Sequence, residues 1–166
     1  MEIVEGMATV DDVDHFVEWL GSVGEEYGVV VQAFDARYVV DRLHLERAVE
    51  LADRAVEQGE AIARERAVEI LLYAAGRRQI NRALQMGVGE GESPVVAVVH
   101  DSAGDGDEGG AAASVRDVLD EKATLGEYDE ALVRDFFEIG DAELAATDGT
   151  LADLVRERVA LLTVEK

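Results

Sequence analysis

The sequence lacks the features that mark secreted, disulfide-bonded and membrane-spanning proteins. It contains no cysteine, which excludes both a disulfide framework and a thiolate metal site. No apolar run approaches the roughly 20 residues that span a bilayer. The first ten residues lack the basic start and long apolar core of a signal peptide. We therefore expect a soluble, cytoplasmic protein that makes no membrane contact.

Length and composition favour one globular domain. The chain has 166 residues, of which 48% are apolar and 31% are charged. A chain of this size can bury a hydrophobic core but is too short for two domains of ordinary size. No internal repeat is visible, so a single domain covering residues 1–166 is expected.

Lysine is scarce and acidic residues are abundant. Only two of the 15 basic residues are lysines, and 37 acidic residues bring the formal net charge to −22. At about 1 M salt the Debye length is about 3 Å, so such self-repulsion is screened while the carboxylates keep the surface hydrated. This composition predicts a protein of a salty cytoplasm, such as that of a halophilic archaeon. A disordered acidic tail is the alternative, but the acids are spread along periodic apolar segments rather than gathered in one block.

The acidity is interrupted in the middle of the chain. Between Arg37 and Arg82 there are nine basic and eight acidic residues, and residues 70–89 contain three arginines and no acid. If the protein contacts a polyanion, this region is the least repulsive place for it.

Apolar periodicity, β-branched runs and glycine positions predict interleaved strands and helices. The order of these elements indicates an α/β or α+β fold in which several helices pack on a small mixed sheet. Residues 101–111 are expected to form a flexible acidic loop. The predicted strands cover residues 2–5, as a short edge strand, 29–34 and 95–99. The first predicted helix begins after Thr9 or Asp11 and ends at the glycines of residues 21–28. The other predicted helices cover 41–58, 64–75, 77–86, 112–121, 128–139 and 150–162, and Gly76 is expected to cap the 64–75 helix in the left-handed conformation.

Two glycine-rich or acidic segments imitate ligand-binding motifs without matching them. Asp101, Asp105 and Asp107 fall at calcium-ligand positions of an EF-hand loop, but the twelfth position, which requires a glutamate, is Ala112. The glycines of residues 87–91 precede a predicted strand, whereas phosphate-binding glycines lie between a strand and a helix. We therefore interpret both segments as connecting loops.

Catalytic and metal-binding patterns are absent from the sequence. His15, His44 and His100 are far apart and have no paired-ligand spacing, so each is expected to be a packed or surface histidine. No nucleophile motif or convincing carboxylate pair is present. We expect no enzymatic activity, no catalytic residue and no cofactor or metal.

The predicted 77–86 helix is the best candidate for contact with an anion. Its outer face would carry Arg78, Arg82 and Gln85, and its inner face Ile80, Ala83 and Leu84. Arginines that are solvated or paired with distant carboxylates would explain the same pattern, and the charge distribution alone leaves that alternative open.

From Ala36 to Gly87 the sequence resembles the smallest regulatory subunit of the KEOPS complex, a family related to the eukaryotic PRPK-binding protein. The most specific part is the small-small-Gly-x-x-Gln-Ile-x-x-Ala-Leu segment at residues 74–84; other positions match mainly in apolar pattern. The residues that carry the resemblance are His44-Leu45-x-x-Ala48-Val49-x-x-Ala52, Glu69-Ile70-Leu71, Ala74-Ala75-Gly76-Arg77-Arg78-Gln79-Ile80-Asn81-Arg82-Ala83-Leu84-Gln85-Met86-Gly87 and the strand 95–99.

The resemblance implies a non-catalytic protein of the complex that places threonylcarbamoyl on the adenosine next to the tRNA anticodon. Members of this family bind a kinase-like ATPase subunit and, in archaea, capture the single-stranded 3′ CCA end of tRNA. Such a tail needs cations for phosphates and flat or apolar faces for unstacked bases. The residues implied for tRNA binding are Gly76, Arg77, Arg78, Gln79, Ile80 and Arg82, with Met86 as a further apolar contact.

The resemblance also implies that the kinase-like partner covers an apolar surface on the C-terminal helices. The alternative is that these side chains only pack against the sheet. The candidate residues for this surface are Phe136, Phe137, Leu151, Leu154 and Val155.

Two other functions remain open from the sequence. One is a protein-interaction module that regulates the kinase-like ATPase without contacting RNA. The other is an enzyme or a small-molecule sensor whose pocket the sequence does not reveal.

Overall fold

A four-stranded sheet with helices on both faces forms the protein, which confirms the predicted α/β class. The computed structural model describes residues 1–165. Short 3-10 turns cover Ala36–Tyr38 and Leu84–Met86. The strands are β1 (Glu2–Val10), β2 (Val30–Asp35), β3 (Gly91–His100) and β4 (Asp120–Glu121). The helices are α1 (Val13–Tyr27), α2 (Arg42–Glu57), α3 (Arg66–Ala75), α4 (Ile80–Ala83), α5 (Glu108–Asp117), α6 (Glu130–Phe136), α7 (Asp141–Ala146) and α8 (Leu151–Glu165).

The strand order is β2-β3-β1-β4, and every pairing is antiparallel rather than mixed. β1 pairs with β3 along its whole length, from Glu2 opposite Val99 to Val10 opposite Gly91. The expectation of a short edge strand at residues 2–5 was therefore wrong: β1 has nine residues and lies inside the sheet. From Ile3 to Val10, partly or fully exposed residues alternate with buried ones, and this two-residue period is that of a strand.

Helices cover both faces of the sheet, and a separate hydrophobic core lies between the sheet and the helices on each face. Val95, Ala97 and Val99 pack with side chains of α1 and α5, while Val96 and Val98 pack with side chains of α2, α3 and α8. Successive residues of a strand point to opposite faces, so a strand that is buried on both must be continuously apolar. This arrangement explains the unbroken apolar run that predicted β3.

The first two helices begin and end where local chemistry requires. The carboxylate of Asp12 accepts a hydrogen bond from the backbone N–H of His15 (3.1 Å), and that of Asp41 accepts one from His44 (2.8 Å). Each aspartate thereby caps a helix N-terminus. Gly28 ends α1 in the left-handed conformation, at φ 68°.

The region after β3 is more ordered than the sequence suggested. Helix α5 begins at Glu108, so the acidic loop covers residues 101–107 only. Asp101 accepts hydrogen bonds from the backbone N–H groups of Gly104 (2.8 Å) and Gly106 (3.0 Å), and its carboxylate therefore serves the turn of its own loop. The sequence reading missed α7 and the two-residue strand β4.

Within residues 1–165, no helix combines the length and apolar character that crossing a bilayer requires.

Candidate nucleic-acid interface

A groove of about 560 Å³ opens beside the C-terminus of α3. Five of the six residues predicted to bind tRNA line it together, and the remaining one, Ile80, is 44% exposed at the start of α4. A residue from a different segment, Ile62, completes the lining. The groove is lined by Ile62, Gly76, Arg77, Arg78, Gln79 and Arg82.

Gly76 makes the turn that directs the chain from α3 into the groove. It has φ 60°, as predicted for a left-handed helix cap. A Cβ at this position would lie 3.2 Å from the carbonyl oxygen of Arg158 in α8. Glycine is therefore required both by the backbone conformation and by the close approach of α8.

The backbone amides at this turn are already hydrogen-bonded. The N–H of Gly76 donates to the carbonyl of Tyr73, and the N–H of Arg77 donates to the carbonyl of Leu72, both at 3.0 Å. These two N–H groups are therefore not available to a phosphate. Because a helix C-terminus carries the negative end of the helix dipole, an anion in the groove would depend on the arginine side chains.

Arg77 lines the groove, but its guanidinium is engaged by the protein itself. Its Nη2 donates to the backbone carbonyl of Phe136, and its Cζ lies 5.0 Å from the centroid of the Phe136 ring. Its Nη1 is 3.8 Å from a carboxylate oxygen of Glu138. The side chain is 20% exposed. Arg77 thus connects the groove to the end of α6, a role that its position in the sequence did not indicate.

Arg78 and Arg82 differ from most arginines of this acidic protein. Within the part of the chain that the structure describes, ten of the thirteen arginines lie within 4.0 Å of a carboxylate oxygen. The three that do not are Arg64, Arg78 and Arg82, and all three are exposed. No carboxylate of the described residues therefore neutralises their positive charge. Arg78 and Arg82 line the groove, and Arg64 lies two positions after the groove residue Ile62.

The sequence analysis missed the contribution of residues 61–65. It placed residue 64 in a helix, but α3 begins at Arg66 and the preceding residues form bends. Ile62 is 39% exposed and lines the groove. No sequence pattern placed Ile62 beside residues 76–82.

The predicted 77–86 helix is shorter and oriented differently than expected. Its α-helical part is α4 alone, followed by a 3-10 turn. Ile80 and Leu84 were expected to face the core but are 44% and 58% exposed, whereas Ala83 is buried as predicted. Met86 is fully buried, so it cannot be the apolar RNA contact considered from the sequence. Within α4 and the 3-10 turn that follows it, the exposed aliphatic side chains are therefore Ile80 and Leu84.

Gln79 occupies the N-cap position of α4 but does not cap it. Its side chain makes no capping hydrogen bond and is exposed. An amide in this position can donate and accept hydrogen bonds simultaneously, as the edge of a nucleobase requires.

The five side chains predicted to contact a protein partner are buried in the core of the chain. Each is at most 7% exposed, because α6 and α8 pack these residues toward α2 and α3. The rings of Phe136 and Phe137 are 5.0 Å apart, and Phe136 also contacts Tyr38 at 5.6 Å. Their assignment to a partner surface needs correction, since they cannot be reached without opening the core. These residues are Phe136, Phe137, Leu151, Leu154 and Val155.

A buried histidine holds the end of α3 behind the groove. The ring of His44 is fully buried, with Nε2 2.7 Å from the carbonyl oxygen of Ala74 and Nδ1 3.3 Å from the backbone nitrogen of Val40. Because Nδ1 accepts from the Val40 N–H, Nε2 carries the proton and donates to Ala74. Burial lowers the pKa of His44 to about 4, so the ring is neutral near pH 7. His44 is thus a packed histidine, as the sequence predicted.

Among the described residues, no group of three or more histidine, aspartate or glutamate side chains is placed to hold a metal ion. The groove is lined by three arginines, the aliphatic side chain of Ile62 and the amide of Gln79. Such a set can bind an anion that also has apolar or hydrogen-bonding parts.

A family model described as kinase binding protein CGI-121 matches residues 10–163. The chain belongs to the CGI-121 family. The match covers nearly the whole chain, whereas the resemblance recognised in the sequence rested on residues 36–87 and the strand 95–99. The family description supports a kinase as a binding partner. No individual curated protein matches this CGI-121 chain at a significant level.

Proposed function

We propose that this CGI-121 protein is a non-catalytic subunit of the KEOPS complex, which binds the kinase-like ATPase and captures the 3′ CCA end of tRNA in the groove. The observation that supports the RNA part is the position of the three arginines that have no carboxylate partner among the described residues. On a chain of net charge −22, Arg78 and Arg82 line the groove, and Arg64 lies two positions after the groove residue Ile62.

The groove has the chemistry that a single-stranded RNA terminus requires. Arg78 and Arg82 neutralise phosphates, and Arg64, two positions after the groove residue Ile62, is a further exposed cation. Ile80 presents an apolar face to an unstacked base, and the Gln79 amide reads a base edge. Gly76 acts through the turn it makes, and Arg77 acts by fixing the groove to the end of α6.

In a halophilic cell, the acidic surface outside the groove affects where and how tightly RNA binds. Repulsion by carboxylates disfavours RNA over the rest of the surface, while screening at high salt weakens each phosphate contact. Capture therefore depends on base contacts and on the avidity of several subunits that bind one tRNA.

The direct test compares tRNA with and without its CCA end in gel-shift titrations at several matched salt concentrations. We expect tighter binding of the intact tRNA, and we expect the pair Arg78→Glu and Arg82→Glu to abolish the difference. Because two phosphate contacts are removed, the plot of log affinity against log salt concentration should become shallower by about two.

The matched control is the pair Arg42→Glu and Arg47→Glu. These arginines are 52% and 54% exposed on α2, each with a glutamate partner, and they do not line the groove. Their replacement changes the net charge by the same amount, so unchanged discrimination between the two tRNAs is expected. Equal binding of both tRNAs by the wild-type protein would contradict RNA capture.

Such a result would leave the protein as an interaction module for the kinase-like ATPase, the function that the family description supports by itself. Purification from the native source at high salt tests that part separately. The kinase-like ATPase should co-purify, and its absence would contradict membership in the complex.

A further inference from the structure

Glu69 is a fully buried carboxylate that holds a backbone segment by accepting hydrogen bonds from its N–H groups. Its Oε1 accepts hydrogen bonds from the backbone N–H groups of Ile62 (3.0 Å) and Ala63 (2.9 Å). Its Oε2 lies 3.2 Å from the nitrogen of Ile62 as well. Glu69 belongs to the first turn of α3, so one rigid helix holds two consecutive amides of the segment that precedes it.

The energetics of this arrangement favour one fixed position of the segment. A buried carboxylate is costly unless hydrogen-bond donors surround it, and backbone N–H groups of the segment provide such donors. The residue that precedes α3, Glu65, makes no side-chain capping bond that could fix the segment instead. Residues 61–65 lie outside any helix or strand, so the bonds to Glu69 supply the order that secondary structure would otherwise provide.

The fixed segment forms part of the groove. Ile62 lines the groove together with residues 76–82, and Arg64 follows two positions later. If these amides were released, the Ile62 side chain would lose its defined position beside the arginines. Ordering a mobile segment on binding costs conformational entropy, which lowers affinity.

We propose that Glu69 is a positioning residue for RNA capture. It holds Ile62 in place before the RNA binds, and the Ile62 side chain then forms an aliphatic contact with a base of the single-stranded terminus. This inference rests on the proposed function of the groove, but it concerns residues outside the 74–84 motif. Glu69 itself makes no contact with RNA in this account.

The test uses Glu69→Gln, which keeps the size of the side chain but loses one acceptor oxygen. Glu5→Gln is the matched control, because the Oε1 of Glu5 also accepts hydrogen bonds from two consecutive backbone N–H groups, those of Thr124 (2.9 Å) and Leu125 (2.7 Å). Glu5 lines a second groove, away from Ile62. Both variants weaken a carboxylate that holds two consecutive amides, but only one of them holds Ile62.

Two measurements are made on each variant. The first is amide hydrogen exchange at residues 62 and 63, where Glu69→Gln should accelerate exchange at least tenfold. The second is the affinity for tRNA with and without its CCA end, where Glu69→Gln should weaken binding of the intact tRNA at least fivefold and leave binding of the truncated tRNA unchanged. Glu5→Gln should change neither measurement. Unchanged exchange, unchanged affinity, or an equal loss for both tRNAs would overturn the inference.

A second variant covers the case in which Glu69→Gln does not fold. Ile62→Ala removes a side chain that is 39% exposed, so the fold should persist, and it should weaken binding of the intact tRNA at least threefold. Wild-type affinity in this variant would overturn the inference.

If the wild-type protein does not discriminate between the two tRNAs, the proposed function fails first. If it does and these variants behave like wild type, only the role of Glu69 and Ile62 fails.

Discussion

Arg77 and Phe136 are joined by two interactions that act on different parts of the phenylalanine. The guanidinium donates a hydrogen bond to the Phe136 carbonyl and lies 5.0 Å from the centre of its ring. This contact connects the turn after α3 to the end of α6. It gives an arginine of the candidate tRNA site a role in the fold.

Replacement of Arg77 should therefore destabilise the protein more than replacement of its neighbour. A hydrogen bond from a charged donor and a partly buried cation–π contact together contribute about 2 kcal/mol. We expect Arg77→Ala to lower the free energy of unfolding by about that amount in chemical denaturation. Arg78→Ala, the control, should change it by less than about 0.5 kcal/mol because Arg78 is exposed. Equal effects of the two substitutions would contradict the structural role of Arg77.

The turn at Gly76 predicts a second difference in stability. Gly76→Ala would place a Cβ in the left-handed conformation and 3.2 Å from the carbonyl oxygen of Arg158. We expect a loss of about 1–2 kcal/mol in the free energy of unfolding. Gly89→Ala is the control, since nothing lies within 4 Å of its Cβ position and its φ is not in the left-handed region. A thermal melt of both variants compares them, and an unchanged Tm for Gly76→Ala would exclude the strain.

The buried ring of His44 predicts a dependence of stability on pH. The pKa of His44 is lowered to about 4 in the fold and is near 6.5 in the unfolded chain, so the unfolded state binds more protons between these values. The stability that comes from keeping the buried His44 ring neutral is fully present above pH 6.5. As the pH falls toward 4, the free energy of unfolding decreases by about 3 kcal/mol in total.

Chemical denaturation at fixed salt between pH 4 and 7 measures this slope. His44→Phe keeps an aromatic ring but removes the titrating group, so its free energy of unfolding should change much less over the same range. A slope equal to that of wild type would show that another group causes the pH dependence.

The correction of the partner-binding residues can be tested with two leucines. Leu154 is 5% exposed in the core and Leu84 is 58% exposed beside the groove. Leu154→Ala should lower the free energy of unfolding by about 2–5 kcal/mol, as expected for a cavity in a packed core. Leu84→Ala should have almost no effect on stability. If Leu154→Ala weakened kinase binding and left stability unchanged, a surface role for Leu154 would be restored.

Local chemistry made much of the fold predictable. Helix caps depend on residues close together in the chain, so their positions follow from the sequence. Asp41 caps α2 by a hydrogen bond to a residue three positions away, and the left-handed conformation of Gly28 and Gly76 ends α1 and α3. β3 was equally clear, because its apolar run reflects burial on both faces. β1 was underestimated because Gly6 interrupts its pattern, and only the structure shows that a Cβ there would lie 2.7 Å from the carbonyl oxygen of Asp120 in β4.

The candidate groove was predictable only in part. The charge count singled out residues 70–89, and the structure brings most of the predicted residues together there. The carbonyl that Arg77 contacts lies 59 positions away in the chain, and Ile62 reaches the groove through its bonds to Glu69. Such contacts depend on how separate helices pack, which periodicity and composition do not specify.

The most direct test of RNA capture is an NMR titration of the labelled protein with a short single-stranded RNA that ends in CCA. We predict that the oligonucleotide shifts the resonances of Ile62, Arg78, Gln79 and Arg82, and that an oligonucleotide of equal length without this end shifts them less. We predict no change at Glu5 and Lys122, which line the second groove. Shifts at that second groove, or none beside α4, would contradict the assignment of this groove to the RNA terminus.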